Sequence, residues 1–172
     1  MQNRKIKKYT VPDVHKLARE MTSKSQIMII IGRALRLSPI TLFKMGLNNI
    51  FIAPMVLKKD FAAGIKILCE LEILRDKKNH HILHNQFVDM AVANNNKKVL
   101  AFFFSMAKKY SFKPGIITYN IGPLIKHLSH LRNVPDNLVI YTPIDKKGFA
   151  MNPEYEDVIE YIENSHLDIQ PL

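Results

Sequence analysis

Short apolar runs rich in Ile and Val recur along the chain, and they limit its fold more than any other feature. Five stand out: Ile27–Ile31 (IMIII), Ile50–Ala53 (IFIA), Ile82–Leu83 within HHILHN, Ile116–Thr118 within PGIITYN, and Leu138–Tyr141 (LVIY). Two of them lack the apolar–polar alternation of a half-exposed strand, which implies burial on both faces, as in a parallel sheet. Successive runs begin two to three dozen residues apart, room for a crossover helix in each interval.

Helix signals fill those intervals. Ser38-Pro39 reads as an N-cap followed by Pro at N1, with Gly46 closing the helix. Asp60 reads as the cap of a long helix to about Asp76, striped by Phe61, Ile65, Leu68 and Leu71. Near Asn96 another begins, with Val99, Phe102, Phe103, Met106 and Tyr110 on one face. Gly122-Pro123 and Asn152-Pro153 start two more, and a leading helix covers about Pro12–Thr22. The pattern predicts a single α/β domain over 1–172, with 1–10 as a basic, flexible segment. Its repeated βα units and parallel sheet fit a partial or small β/α barrel, or a flavodoxin-like doubly wound sandwich. The tail from His166 to Leu172 reads as the start of a further strand.

The chain has 172 residues, 47% of them apolar, which is enough to bury a core. One Cys excludes a disulfide framework and a cysteine-based zinc site, and a reducing cytoplasm is the expected compartment. No apolar run approaches the ~20 residues of a membrane span, and no membrane partner is expected. Net charge is +10, but residues 1–151 carry 25 bases against 9 acids, a net of +16. Such a body stays soluble and attracts polyanions.

In a parallel sheet the strand C-termini share one rim, where ligands bind. The loops expected there are Gly32–Arg36, Pro54–Asp60, His84–Gln86 with Asp89, Thr118–Asn120, and Thr142–Lys147. Arg33 suits a bidentate contact to phosphate or carboxylate, or pairs with a rim Asp. His84 at a strand end is either a general acid–base group or a structural histidine. His80, His81 and His84 cannot share one metal if HHILH is a strand, because alternation splits them between faces. Among helix N-termini, the one at Gly122-Pro123 has no acid in its first turn, unlike the one at Asn152, where Glu154, Glu156 and Asp157 follow. No dinucleotide, P-loop, nucleophile-elbow or zincin motif occurs, and no Lys lies inside an apolar run. No cofactor or metal is therefore expected.

Taken together, GRALRLSPITLFKMG, IAPMV, ILHNQFVDMAVAN, KPGIITYN and TPIDKKGFAMNP resemble segments of an uncharacterised prokaryotic protein group with an aldolase-like β/α (TIM-type) barrel. The resemblance covers most of the chain from about Ile27. It implies that the strand-end loops form the site. It also implies that a fuller chain would continue past Leu172 with at least one more strand, leaving barrel closure open.

The leading functional expectation is a lyase- or isomerase-type enzyme acting on a small anionic or phosphorylated substrate. Arg33, Lys146, Lys147 and the Gly122 turn would hold the anion. His84 or Asp145 would move a proton, and Asn85 and Asn120 would orient the substrate. Two alternatives stand beside it. One is a basic nucleic-acid-binding protein, less favoured because the bases are scattered and no RNA-binding or zinc signature appears. The other is a non-catalytic domain that forms homo-oligomers through sheet edges and apolar faces left uncovered.

Overall fold

A computed structural model describes residues 9–76, 78–144, 155–164 and 166–172. Apart from Tyr9 and Thr10, the basic N-terminal segment lies outside the described residues, as do Asp145, Lys146, Lys147 and the Asn152-Pro153 helix start. The chain divides into two compact units, one from residues 11–78 and one from 79–172 with the first ten residues.

The second unit is built on a five-stranded parallel sheet. Its strands are β1 (Thr10–Val11), β2 (His80–Leu83), β3 (Lys113–Ile117), β4 (Val139–Thr142) and β5 (Asp168–Pro171), ordered in space as in sequence. His80 pairs with Lys113, Gly115 with Val139, and Val139 with Asp168. Tyr9 O accepts from Ile82 N–H at 2.8 Å beside β1. The runs at Ile82, Ile116 and Leu138 are thus strands as expected, and so is the C-terminal tail. Strictly sequential order is that of neighbouring strands in a β/α barrel. A flavodoxin-like sandwich would instead show the order 2-1-3-4-5.

Right-handed crossovers between strands in this order place their helices on one face. In this unit the helices, taken here as α6 to α9, are Asn85–Ala93, Lys97–Tyr110, Ile121–Ser129 and Tyr155–Asn164. Both α6 and α7 pack on β3, α6 meets α7 and α8, and α9 meets α8. Leu83, Ile116 and Ile140 are fully buried on the helix side. The other side carries one residue from or beside each strand: Tyr9, Ile82, Ile117, Tyr141 and Leu172 form one cluster. Gly115 belongs to that side. A Cβ there would lie 3.0 Å from Ile82, 3.1 Å from His80 and 3.2 Å from Tyr141, so the missing side chain is what lets His80 and Tyr141 meet.

The first unit is helical: α1 (Val14–Met21), α2 (Gln26–Ala34), α3 (Pro39–Asn48), α4 (Ala53–Leu57) and α5 (Phe61–Asp76). Two expectations are corrected here. Ile27–Ile31 is not a strand but the middle of α2. Ser25 caps this helix by accepting from Met28 N–H, and Ile29 is buried while Ile27, Met28 and Ile31 are exposed, a helical rather than an alternating pattern. Ile50–Ala53 is a turn leading into α4, whose first turn contains Pro54. An unbroken apolar run carries no period, so it cannot separate a strand from a short helix. The expected caps hold: Ser38 accepts from Thr41 N–H, and Asp60 Oδ1 accepts from Ala63 N–H at 2.8 Å. Helix α3 runs two residues past Gly46.

Candidate functional site

Three chain segments of the sheet unit meet at the C-terminal ends of β2 and β3. Leu83, the last residue of β2, pairs with Ile116, so His84 leaves β2 level with Ile117, one residue before Thr118 leaves β3. Thr118 is fully buried, and its N–H donates to Tyr141 O at 3.0 Å. Its hydroxyl donates to Asp89 Oδ1 at 2.5 Å and accepts from Asn120 N–H at 2.9 Å. Asp89 Oδ2 accepts from Tyr119 N–H at 3.2 Å. One carboxylate on α6 thereby fixes the β3–α8 turn and the direction in which α8 starts.

Helix α8 opens Ile121-Gly122-Pro123 with Asn120 at the N-cap, no side-chain capping bond and no acid in its first turn. Its first N–H groups and the positive end of its dipole face the rim. Asp89 sets one negative charge beside the turn, so an incoming anion needs a cation as well. Lys146 and Lys147, which follow β4 in the chain, are outside the described residues.

His84 occupies the N-cap of α6, where its Nδ1 accepts from Gln86 N–H at 3.2 Å. In that arrangement a neutral ring carries its proton on Nε2, so it can donate a hydrogen bond there but must leave the cap before Nδ1 can take up a proton. Asn85 is the first residue of α6. The expected rim therefore includes His84, Asn85, Asn120 and Gly122 at the ends of β2 and β3.

Arg33 is not at a strand end, because the run before it is helical. It lies on α2 of the helical unit, buried, and donates to Glu20 at 2.8 Å and to Glu72. Of its two expected alternatives the pairing one is seen, with glutamates instead of an aspartate. Arg36, Lys58 and Lys59 also belong to the helical unit, but they are exposed.

His80 and His81 both belong to β2 and point to opposite faces. His80 Nδ1 meets Lys113 O at 2.9 Å and its Nε2 meets the Tyr141 hydroxyl at 3.2 Å. Burial holds its pKa below the ordinary 6.5. His81 lies edge-on to Phe112, with ring centres 4.9 Å apart. Among the described residues no three His, Cys, Asp or Glu side chains cluster as metal ligands, and no helix is long and apolar enough to cross a membrane.

A cleft of about 830 Å³ opens at the other end of the sheet, where β3 and β4 begin. Lys108, Lys113 and Arg132 line it with Ser111 and Asn137. Lys113 pairs across 3.5 Å with Asp168, both half-exposed. The sequence offered no signal for this concavity, because its bases come from a helix end, a strand start and a loop. Comparison with protein-family models, with curated proteins and with solved structures finds no match.

Proposed function

We propose that the sheet unit binds a small phosphorylated or carboxylate substrate at the C-terminal rim and acts on it by proton transfer, as a lyase or isomerase. The observation that supports this reading is the fixed β3–α8 turn, which aims an acid-free helix start at the rim one strand away from His84. Backbone N–H groups near Gly122 would bind the anion, Asn120 and Asn85 would orient it, and Lys146 or Lys147 would offset Asp89. His84, once Nδ1 leaves the cap and the ring is protonated, would supply the proton from Nε2, with Asp145 as the alternative proton carrier. Asn120→Asp separates ligand binding from folding, because a carboxylate at the N-cap strengthens the helix and repels an anion. Calorimetry with inorganic phosphate and a sugar phosphate should show binding to the parent chain and weaker binding to Asn120→Asp. Equal affinities, or no heat in either protein, would refute the reading.

The basic cleft supports a second reading, a nucleic-acid surface at the opposite end of the sheet. Phosphate contacts there would give a steep loss of affinity with salt in a gel shift. Arg132→Glu should lower binding, and an unchanged shift would reject this reading.

A further inference from the structure

The helical unit buries charged groups beside an apolar core of Met45, Ile67 and Leu71, and leaves large apolar side chains exposed. Arg33, Asn49, Lys66, Glu70 and Glu72 are buried in it, whereas Phe51 is 88% exposed and Leu35 73% exposed. On α2, Ile29 and Arg33 face inward one turn apart, and Met28, Ile31 and Leu35 recur on the outer side. On α3 the inward residue is Met45, with Asn49 just beyond, and Ile40, Phe43 and Leu47 form the outer stripe. A helix packed on a core in water normally keeps such large side chains inward, so these outer apolar stripes call for a covering surface.

The charge on that surface chooses among occupants. Lys24, Arg36, Lys44, Lys58 and Lys59 are exposed among the apolar side chains, and no Asp or Glu occurs from residue 21 to 59. A second copy would set like charge against like charge across a self-complementary interface. An anionic lipid surface satisfies both the bases and the apolar stripes. Helices α2 and α3, with 9 and 10 residues, are each roughly 15 Å long, half the ~30 Å hydrocarbon core. They are thus sized for one leaflet's interface rather than for crossing. An apolar cleft of about 280 Å³ between α2, α3 and α4, rimmed by Ile27 and Leu57, adds depth to the same surface.

We propose that the α2–α4 face of the helical unit docks on an anionic membrane surface, with its apolar side chains in the interface and its bases on the headgroups. The test is co-sedimentation of the full chain with phosphatidylcholine vesicles, with and without phosphatidylglycerol. Partitioning should require the anionic lipid and weaken with salt. Lys44→Glu and Lys58→Glu should each lower it roughly fivefold or more. Phe43→Ser with Phe51→Ser should lower it at least roughly tenfold. All four positions are exposed, so the fold tolerates the changes, and circular dichroism checks this. The chain contains no Trp, so Phe51→Trp reports from this face alone, and its emission should shift to the blue with anionic vesicles. No partitioning above that on neutral vesicles, or an unmoved Trp emission, would overturn the proposal. So would a lipid-free dimer that Phe43→Ser with Phe51→Ser dissociates, which would identify a second copy as the occupant.

Discussion

The hydroxyl of Thr118 donates to the carboxylate of Asp89 across 2.5 Å, joining the end of β3 to α6, the helix that follows β2. That bond and the Tyr119 amide bond hold the turn from which α8 starts. Asp89→Ala would leave a buried hydroxyl and an amide without their acceptor. The expected loss is about 1–3 kcal/mol of stability. All six Tyr residues belong to the sheet unit, so tyrosine emission during urea unfolding follows this unit. A change of less than a few tenths of a kcal/mol would show that the turn holds without Asp89.

Gly115 gives a second, purely steric prediction. Its absent Cβ leaves room for His80, Ile82 and Tyr141 within 3.0–3.2 Å of that point. Gly115→Ala should cost about 1–3 kcal/mol by overpacking, read by the same tyrosine transition. A neutral or stabilising result would mean that the His80–Tyr141 contact is loose.

The histidines of the sheet unit set a pH dependence. Burial holds both His80 and His127 below the ordinary 6.5, and Lys97 and His130 add to the effect at His127. The unfolded chain then takes up protons before the folded one does. Stability is full above 6.5 and falls as pH drops through 6.5 toward the folded-state values. His127→Leu should flatten that fall in urea midpoints. An unchanged slope would assign the dependence elsewhere.

The legible part of the fold was the part with two signals in one place. Ile116 and Leu138 sat in apolar runs between recognisable helix starts, so β3 and β4 were readable. Ser38, Asp60 and Asn96 marked caps by their own chemistry. Ile27–Ile31 had only its apolarity, and α2 exposes that apolarity while burying Arg33, the reverse of what patterning assumes. Helix α6 was missed because Asn85 looked like loop and its cap is a histidine, an uncommon N-cap residue. His84, Asn85, Asn120 and Gly122 could be placed at strand ends because β2 and β3 were correct. Arg33 was misplaced with the run before it.

That buried Arg33 carries its own prediction. Its guanidinium meets Glu72 with both side chains about 5% exposed or less, and Glu72 also accepts from Asp13 N–H at 2.9 Å. Arg33 and that bond oppose the effect of burial, which still raises the Glu72 pKa. Glu72→Ala would leave Arg33 paired with Glu20 alone and Asp13 N–H without its acceptor, and should cost about 1–3 kcal/mol. The sole Cys, Cys69, is buried one turn away on α5, with its thiol pKa pushed up mainly by burial. It should resist thiol reagents in the parent chain and react quickly in Glu72→Ala. Equal labelling rates would show that the ion pair does not hold this unit together.

The reading of the rim depends on where an anion sits. Titrating inorganic phosphate into isotope-labelled protein and following backbone amide shifts locates it directly. Saturable shifts centred on Asn120 to Leu124, diminished in Asn120→Asp, are the predicted result. Shifts confined to the cleft at Lys108, Lys113 and Arg132, or none at all, would contradict it.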